Sequence, residues 1–218
     1  MKQPWPIVKL GEVLTERRET PAPDELDSGS IRIVSKISFN TGRIELRADG
    51  ETKTGMILAR PGDLVISGIN AAKGAVAIYG PENTEPIAAT IHYGAYTPKP
   101  GKADLKFLWW FFRSNPFREI LTEHVPGGIK TELKAKRLLP IPIPLPPLAE
   151  QRRIVARIEE LAARIHQART LRHQAVKEVE ALASTTSAER FRKLEQTAPL
   201  GELVAEGSTI SYGVLVPG

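Results

Sequence analysis

At 218 residues, a net charge of +5 and 25% charged side chains, the chain has room for one or two hydrophobic cores and a modest basic surplus. The absence of cysteine excludes disulfides and thiolate metal sites and fits a reducing compartment. No apolar run approaches the ~20 residues of a membrane-spanning helix, and residues 1–6 contain no signal-peptide core, so a cytoplasmic protein with no membrane partner is expected.

Taken in order, residues 8–19 (VKLGEVLTERRE) place Leu10, Val13 and Leu14 at the spacing of a short helix. Over residues 31–97 the pattern turns strand-like. Short apolar runs, IRIV (31–34), GRIEL (42–46), MILA (56–59), DLVIS (63–67) and AVAIY (75–79), are punctuated by Asn40-Thr41-Gly42, Arg60-Pro61-Gly62 and Tyr79-Gly80-Pro81. An antiparallel, curved β region is expected. Helical chemistry returns over 104–124, where Leu105, Leu108, Trp109, Phe112, Phe117, Ile120 and Leu121 form an apolar face interrupted near Asn115-Pro116. Trp109-Trp110-Phe111-Phe112 has the composition of a base-stacking platform, but at helical spacing it reads as core. Gly127-Gly128 then leads into Lys130-Thr131, where a flexible backbone can approach a phosphate closely.

Pro140, Pro142, Pro144, Pro146 and Pro147 form a collar that cannot be helical, because proline fixes φ and removes a backbone donor. From there the chain has no glycine or proline until Pro199. Ile154, Ile158, Leu161, Ile165, Ala168, Ala175, Val179 and Leu182 alternate by four and three, skipping only Arg172. That is the seam of a coiled-coil helix seeking another helix. Residues 147–182 alone would span roughly 50 Å at ~1.5 Å per residue, too long to fold back into a small core. Around the collar, residues 127–157 carry seven basic side chains (Lys130, Lys134, Lys136, Arg137, Arg152, Arg153, Arg157) against Glu132 and Glu150. A polyanion such as DNA is attracted to such a patch through counterion release. Near the end, Leu200-Gly201-Glu202-Leu203 echoes Leu10-Gly11-Glu12-Val13, as if a second copy of the first unit were beginning.

Catalytic signatures are thin. Adenine methylation needs an Asn/Asp-Pro-Pro-aromatic loop and a glycine-rich cofactor turn, and the chain offers only Ser114-Asn115-Pro116-Phe117 and no G-x-G. Glu132-Leu133-Lys134 and Glu51-Thr52-Lys53, with Asp63 upstream, match the Glu-x-Lys of Mg²⁺ nucleases, a tripeptide that arises by chance in any charged chain. His92, His124, His166 and His173 do not form a metal-ligand set. No catalytic and no metal residue is expected.

Three stretches carry a family resemblance: IPIPLPPLAEQRRIVARIEELAARI (141–165), GDLVISGINAAKGAVAIY (62–79) and FLWWFFRSNPFREILTEHVPGGIK (107–130). They resemble the specificity subunit of type I restriction-modification systems, in its first target-recognition domain and the long helix that follows. The resemblance implies an α+β fold: a β-rich target-recognition domain with packed helices over 1–146, one long coiled-coil-type spacer and dimerisation helix over 147–195, and over 196–218 the start of a second, incomplete recognition domain. It also implies a non-catalytic subunit that reads one half of a bipartite site on double-stranded DNA. Two methyltransferase subunits dock on the helices, and the restriction subunit joins afterwards. S-adenosylmethionine, ATP and Mg²⁺ would belong to those partners, with no cofactor in this chain. The unpaired seam suggests a homodimer of antiparallel helices that reads an inverted repeat. The competing reading is a truncated assembly or decoy module that binds the methyltransferase without recognising sequence.

DNA contact is expected from loops rather than strands. Lys36, Lys73, Lys130, Lys134 and Lys136 are candidate phosphate partners, and Ser67, Asn70 and Thr131 candidate partners for base edges.

Overall fold

A computed structural model describes residues 5–47, 55–125 and 132–193. The described residues divide into two units, the first ending at Glu160 and the second starting at Leu161. The Glu51-Thr52-Lys53 tripeptide, the Gly127-Gly128 loop with Lys130 and Thr131, and the echo at 200–203 within the expected third segment lie outside the described residues.

Within residues 8–19 the expected short helix is present as one turn, flanked by strands. Ile7–Lys9 is a strand (β1), Leu10–Val13 a single helical turn (α1) and Leu14–Glu16 a second strand (β2). Both flanks are claimed by distant partners: β1 lies antiparallel on Pro142–Pro144 (β10) and β2 on Tyr93–Pro98 (β9). Such pairing outweighs a four-residue helical preference. The proline collar is extended, and its alternation is functional. Ile141, Ile143 and Leu145 are buried while Pro142 and Pro144 face outward, a position where a missing N–H disturbs no central ladder. Leu10 N–H donates to Ile141 O at 2.9 Å and Leu145 N–H to Pro6 O at 2.9 Å, lacing the two segments together.

After a short helix, Pro23–Asp27 (α2), come Arg32–Ile37 (β3), Ile44–Arg47 (β4), Met56–Ala59 (β5), Asp63–Ser67 (β6), Val76–Tyr79 (β7) and Ile87–Thr90 (β8). They form two four-stranded sheets, ordered β2-β9-β6-β7 and β4-β3-β8-β5. Pairing is antiparallel except between β3 and β8, which run parallel with Arg32 opposite Ile87. This corrects the purely antiparallel expectation. The chain leaves β7 in one sheet and enters the other as β8, antiparallel to β5 and so in the same direction as β3.

Period-two alternation distributes the strand side chains over three layers of core. Leu64 and Ile66 of β6 face the helices, whereas Val65 packs between the sheets with Val34, Ile37, Ala77, Ile87, Ala89 and Ala95. The alanines let the sheets approach closely. Beyond the second sheet, Ile33, Met56, Leu58 and Ala88 are covered by Leu26 of α2. Because both faces of β6 are covered, all five of its residues are buried, which is why its centre, Leu64-Val65-Ile66, is apolar without alternation.

On the far side of the first sheet lie Leu105–Phe112 (α3), Asn115–His124 (α4) and Ala135–Leu138 (α5). Asp104 caps α3, its Oδ1 accepting from Phe107 N–H at 3.0 Å, and Pro116 in the first turn of α4 explains the interruption seen in the sequence. Phe107, Leu108, Phe112, Phe117 and Leu121 fill this layer; of the aromatic run Phe112 is core, while Trp109, Trp110 and Phe111 pack against it partly buried. The Phe112 and Phe117 rings sit 4.5 Å apart.

The last element is Leu148–Arg192 (α6), 45 residues without a break. In the first unit its root is anchored: Gln151 and Val155 are buried, and Ile154 packs against the same core. Burying one such aliphatic side chain is worth about 1.5–3 kcal/mol. In the second unit every described side chain is exposed. The architecture is α+β, as the sequence indicates. Among the described residues no helix is long and apolar enough to cross a membrane.

Candidate nucleic-acid interface

The strand β3 is bulged. Val34 pairs with Leu46 and Lys36 with Glu45, leaving Ser35 as the extra residue. The extra residue lets Val34 and Ile37 both turn into the core while Ser35 and Lys36 both face out, the re-aiming that bulges characteristically provide. Lys36 Nζ meets Glu45 Oε2 at 3.2 Å. Beyond it, the β3–β4 turn presents Ser38, Phe39 and Asn40 beside the end of β6 and the short 3-10 turn Ala71–Lys73.

These segments enclose an open cleft of about 310 Å³ lined by Lys36, Phe39, Asn40, Ser67, Asn70 and Tyr93, among others. Lys73 adjoins it, its Nζ 5.8 Å from the Phe39 ring centroid. Four candidate residues of the sequence, Lys36, Ser67, Asn70 and Lys73, are thus brought to one place. Two of them do not sit where expected: Lys36 and Ser67 belong to strands, not loops, and Ser67 is 5% exposed. Asn70 uses its backbone to close the turn, its carbonyl accepting from Lys73 N–H at 2.9 Å and Ala75 N–H at 3.2 Å.

Lys134 and Lys136 line a second depression, of about 520 Å³, together with Glu16 and Arg18. Lys134 Nζ lies 3.7 Å from Glu132 Oε2, while Glu132 Oε1 meets His92 Nδ1 at 3.0 Å. The carboxylate of the Glu-x-Lys tripeptide is therefore engaged by side chains on both oxygens. Asp63, its postulated companion, is fully buried and bound bidentately by Arg17. Among the described residues no group of three or more His, Asp or Glu is placed to hold a metal. The two depressions are tied together through Gly68, whose N–H donates to His92 O at 2.7 Å and whose carbonyl accepts from Leu133 N–H at 2.8 Å. A side chain there would meet His92 O at 3.0 Å and Leu133 O at 3.2 Å, so this close approach favours glycine.

Of the helix seam, Ile154 and Ile158 are half-buried in the first unit, and Leu161, Ile165, Ala168, Ala175, Val179 and Leu182 are exposed in the second. Two residues at this cleft escaped the sequence reading: Phe39 stands just before the Asn40-Thr41-Gly42 turn signal, and Arg113, which donates to the Phe39 and Asn40 carbonyls, looks like an ordinary charge after α3.

The model of the type I restriction modification DNA specificity domain matches residues 2–174. The chain belongs to this family. Two solved structures share the specificity-family fold with it. The crystal structure of an HsdS subunit from Thermoanaerobacter tengcongensis matches with a TM-score of 0.68 at 26% identity, over 92% of this chain and 53% of that one. A chain from a structural study of complex assembly and conformational transition of the type I restriction-modification system matches with a TM-score of 0.65, again at 26% identity and over 92% and 53%. The specificity-family chain described here thus spans about half the length of these relatives. A comparison with curated proteins found no match.

Proposed function

We propose that this chain is a DNA-reading, non-catalytic unit of a type I specificity subunit, and that it contacts duplex DNA through the cleft beside the β3 bulge. The observation that carries this reading is the convergence of Lys36 and Lys73 with Asn40, Asn70 and the exposed Phe39 on one open face. Cations for phosphates and amides for base edges are what a groove reader needs. Residues up to 146 form the recognition domain in this reading, and the helix after it docks methyltransferase subunits, the restriction subunit joining later. S-adenosylmethionine, ATP and Mg²⁺ act in those partners, in the cytoplasm. The exposed seam from Leu161 to Leu182 pairs antiparallel with the same helix of a second copy, so that the pair reads an inverted repeat.

The test is selection from a random duplex pool by the purified chain, followed by binding titrations at several salt concentrations. Enrichment of one defined sequence is expected. Lys36→Ala with Lys73→Ala is expected to flatten the salt slope by up to about two units, at ~0.9 per phosphate contact. Recovery of the pool without enrichment would overturn the reading, and an unchanged slope would place the DNA on another face. Light scattering at tens of micromolar tests the pairing of copies, which a strict monomer would rule out.

A further inference from the structure

Phe39 is 47% exposed, comparable in this unit to Trp5 at 44%, but unlike Trp5 it stands on a turn whose backbone is held by a side chain from another element. The Arg113 guanidinium, at the end of α3, donates through Nη2 to Asn40 O at 2.6 Å and Phe39 O at 3.2 Å, and through Nη1 to Gly74 O at 2.8 Å. It clamps the β3–β4 turn to the turn that carries Lys73. Trp109 supports it from behind, with Arg113 Cζ 4.7 Å from the indole and Trp109 Nε1 donating to Val76 O at 2.9 Å. Gly42, at φ +67°, leaves the space this packing occupies, since a Cβ there would fall 2.7 Å from both Arg113 Nη1 and Trp109 Cζ2. Arg113 thus fixes the backbone on which the exposed ring stands. A ring kept at fixed height beside two lysines has a use if an apolar surface comes to meet it.

Resting on the reading of the cleft as a DNA interface, we propose that Phe39 makes an apolar contact with a base of the bound duplex, and that Arg113 is the positioning residue that holds it there. Arg113 touches no DNA. The contact is with a base and not a phosphate, so it adds affinity without adding salt dependence, the reverse of what Lys36 and Lys73 contribute.

The experiment is a double-mutant cycle on the duplex enriched by the wild-type chain, with thermal unfolding recorded for each variant. Phe39→Ala is expected to weaken binding about tenfold, within the range found for loss of a base–aromatic contact, at unchanged salt slope. Phe39→Trp is expected to retain binding. Arg113→Lys keeps the charge but lacks the planar fork that reaches three carbonyls. It is expected to weaken binding to a similar degree alone and to add nothing in the Phe39→Ala background. Wild-type binding with Phe39→Ala indistinguishable from it, or a Phe39→Ala variant with a flatter slope, would overturn the base contact while leaving the DNA reading in place. An Arg113→Lys penalty that persists undiminished beside Phe39→Ala would overturn the positioning role. A wild-type chain that enriches no duplex would overturn the DNA reading and this inference with it.

Discussion

The side-chain amide of Gln151, buried in the first turn of α6, joins two segments that cannot satisfy themselves. Its Oε1 accepts from Asp104 N–H at 2.7 Å and its Nε2 donates to Pro146 O at 2.8 Å. Gln151 is 1% exposed, its bond to Pro146 O is buried and its bond from Asp104 N–H part-buried. Replacing it by leucine is expected to strand both, at about 1–3 kcal/mol for each buried unsatisfied group. Chemical denaturation would show the combined loss as an earlier midpoint. A midpoint unchanged within error would mean that water replaces the amide.

Asp63 and Arg17 form a second buried joint, between β6 and the residue after β2. The Asp63 carboxylate accepts from Arg17 Nη2 at 3.0 Å, Thr97 Oγ1 at 2.8 Å and Arg60 N–H at 2.8 Å, as well as from Arg17 Nε. The hydrogen bond to Asp63 pushes the Arg17 guanidinium above its ordinary range. Removing one partner of a buried pair leaves the other charge uncompensated, so Arg17→Met is expected to cost about 3–5 kcal/mol. Denaturant unfolding of the variant checks this, and a cost below about 1 kcal/mol would show the pair to be solvated.

Glu19 extends that network into solvent, where Arg60 and then Arg17 hydrogen-bond its carboxylate and hold its pKa below the ordinary 4.5. A depressed folded value means that the contribution is complete above the ordinary carboxyl range and disappears as pH falls through the depressed one. The Tm of Glu19→Gln is therefore expected to lie below that of the wild type at neutral pH and to converge with it as pH falls below the ordinary carboxyl range. A gap independent of pH would exclude this ion pair as its source.

Along the second unit, Leu161 is 43% and Leu182 67% exposed. Converting both to aspartate is expected to leave the unfolding of the first unit unchanged and to abolish self-association. Two lost aliphatic contacts of about 1.5–3 kcal/mol each raise the Kd at least ~100-fold. Sedimentation velocity of wild type and variant is the check. Equal behaviour of the two would exclude this face as the interface.

How much of this was legible in the sequence depended on where each signal originates. The strands β5, β6 and β7 were legible because apolar runs were bounded by Pro-Gly and Gly-Pro turns. The strands β8 and β9 were not separately marked, since in IAAT and YGAYTP the large buried residues Ile87 and Tyr96 are diluted by small and polar neighbours. The parallel β3–β8 pair was invisible for a different reason: direction is set by which sheet the chain has just left. In the site, Lys36, Asn70 and Lys73 were named from their chemistry alone. Arg113 was not, because what distinguishes it is the set of carbonyls it reaches, 39 to 74 residues away in the chain.

Among the described residues β1 has β10 as its strand partner, so residues 7–9 find that partner only once residues 142–144 have been synthesised. Contacts of such long sequence separation close late and slowly. A chain interrupted before residue 142 therefore leaves the β1 ladder without the partner it has in the finished fold.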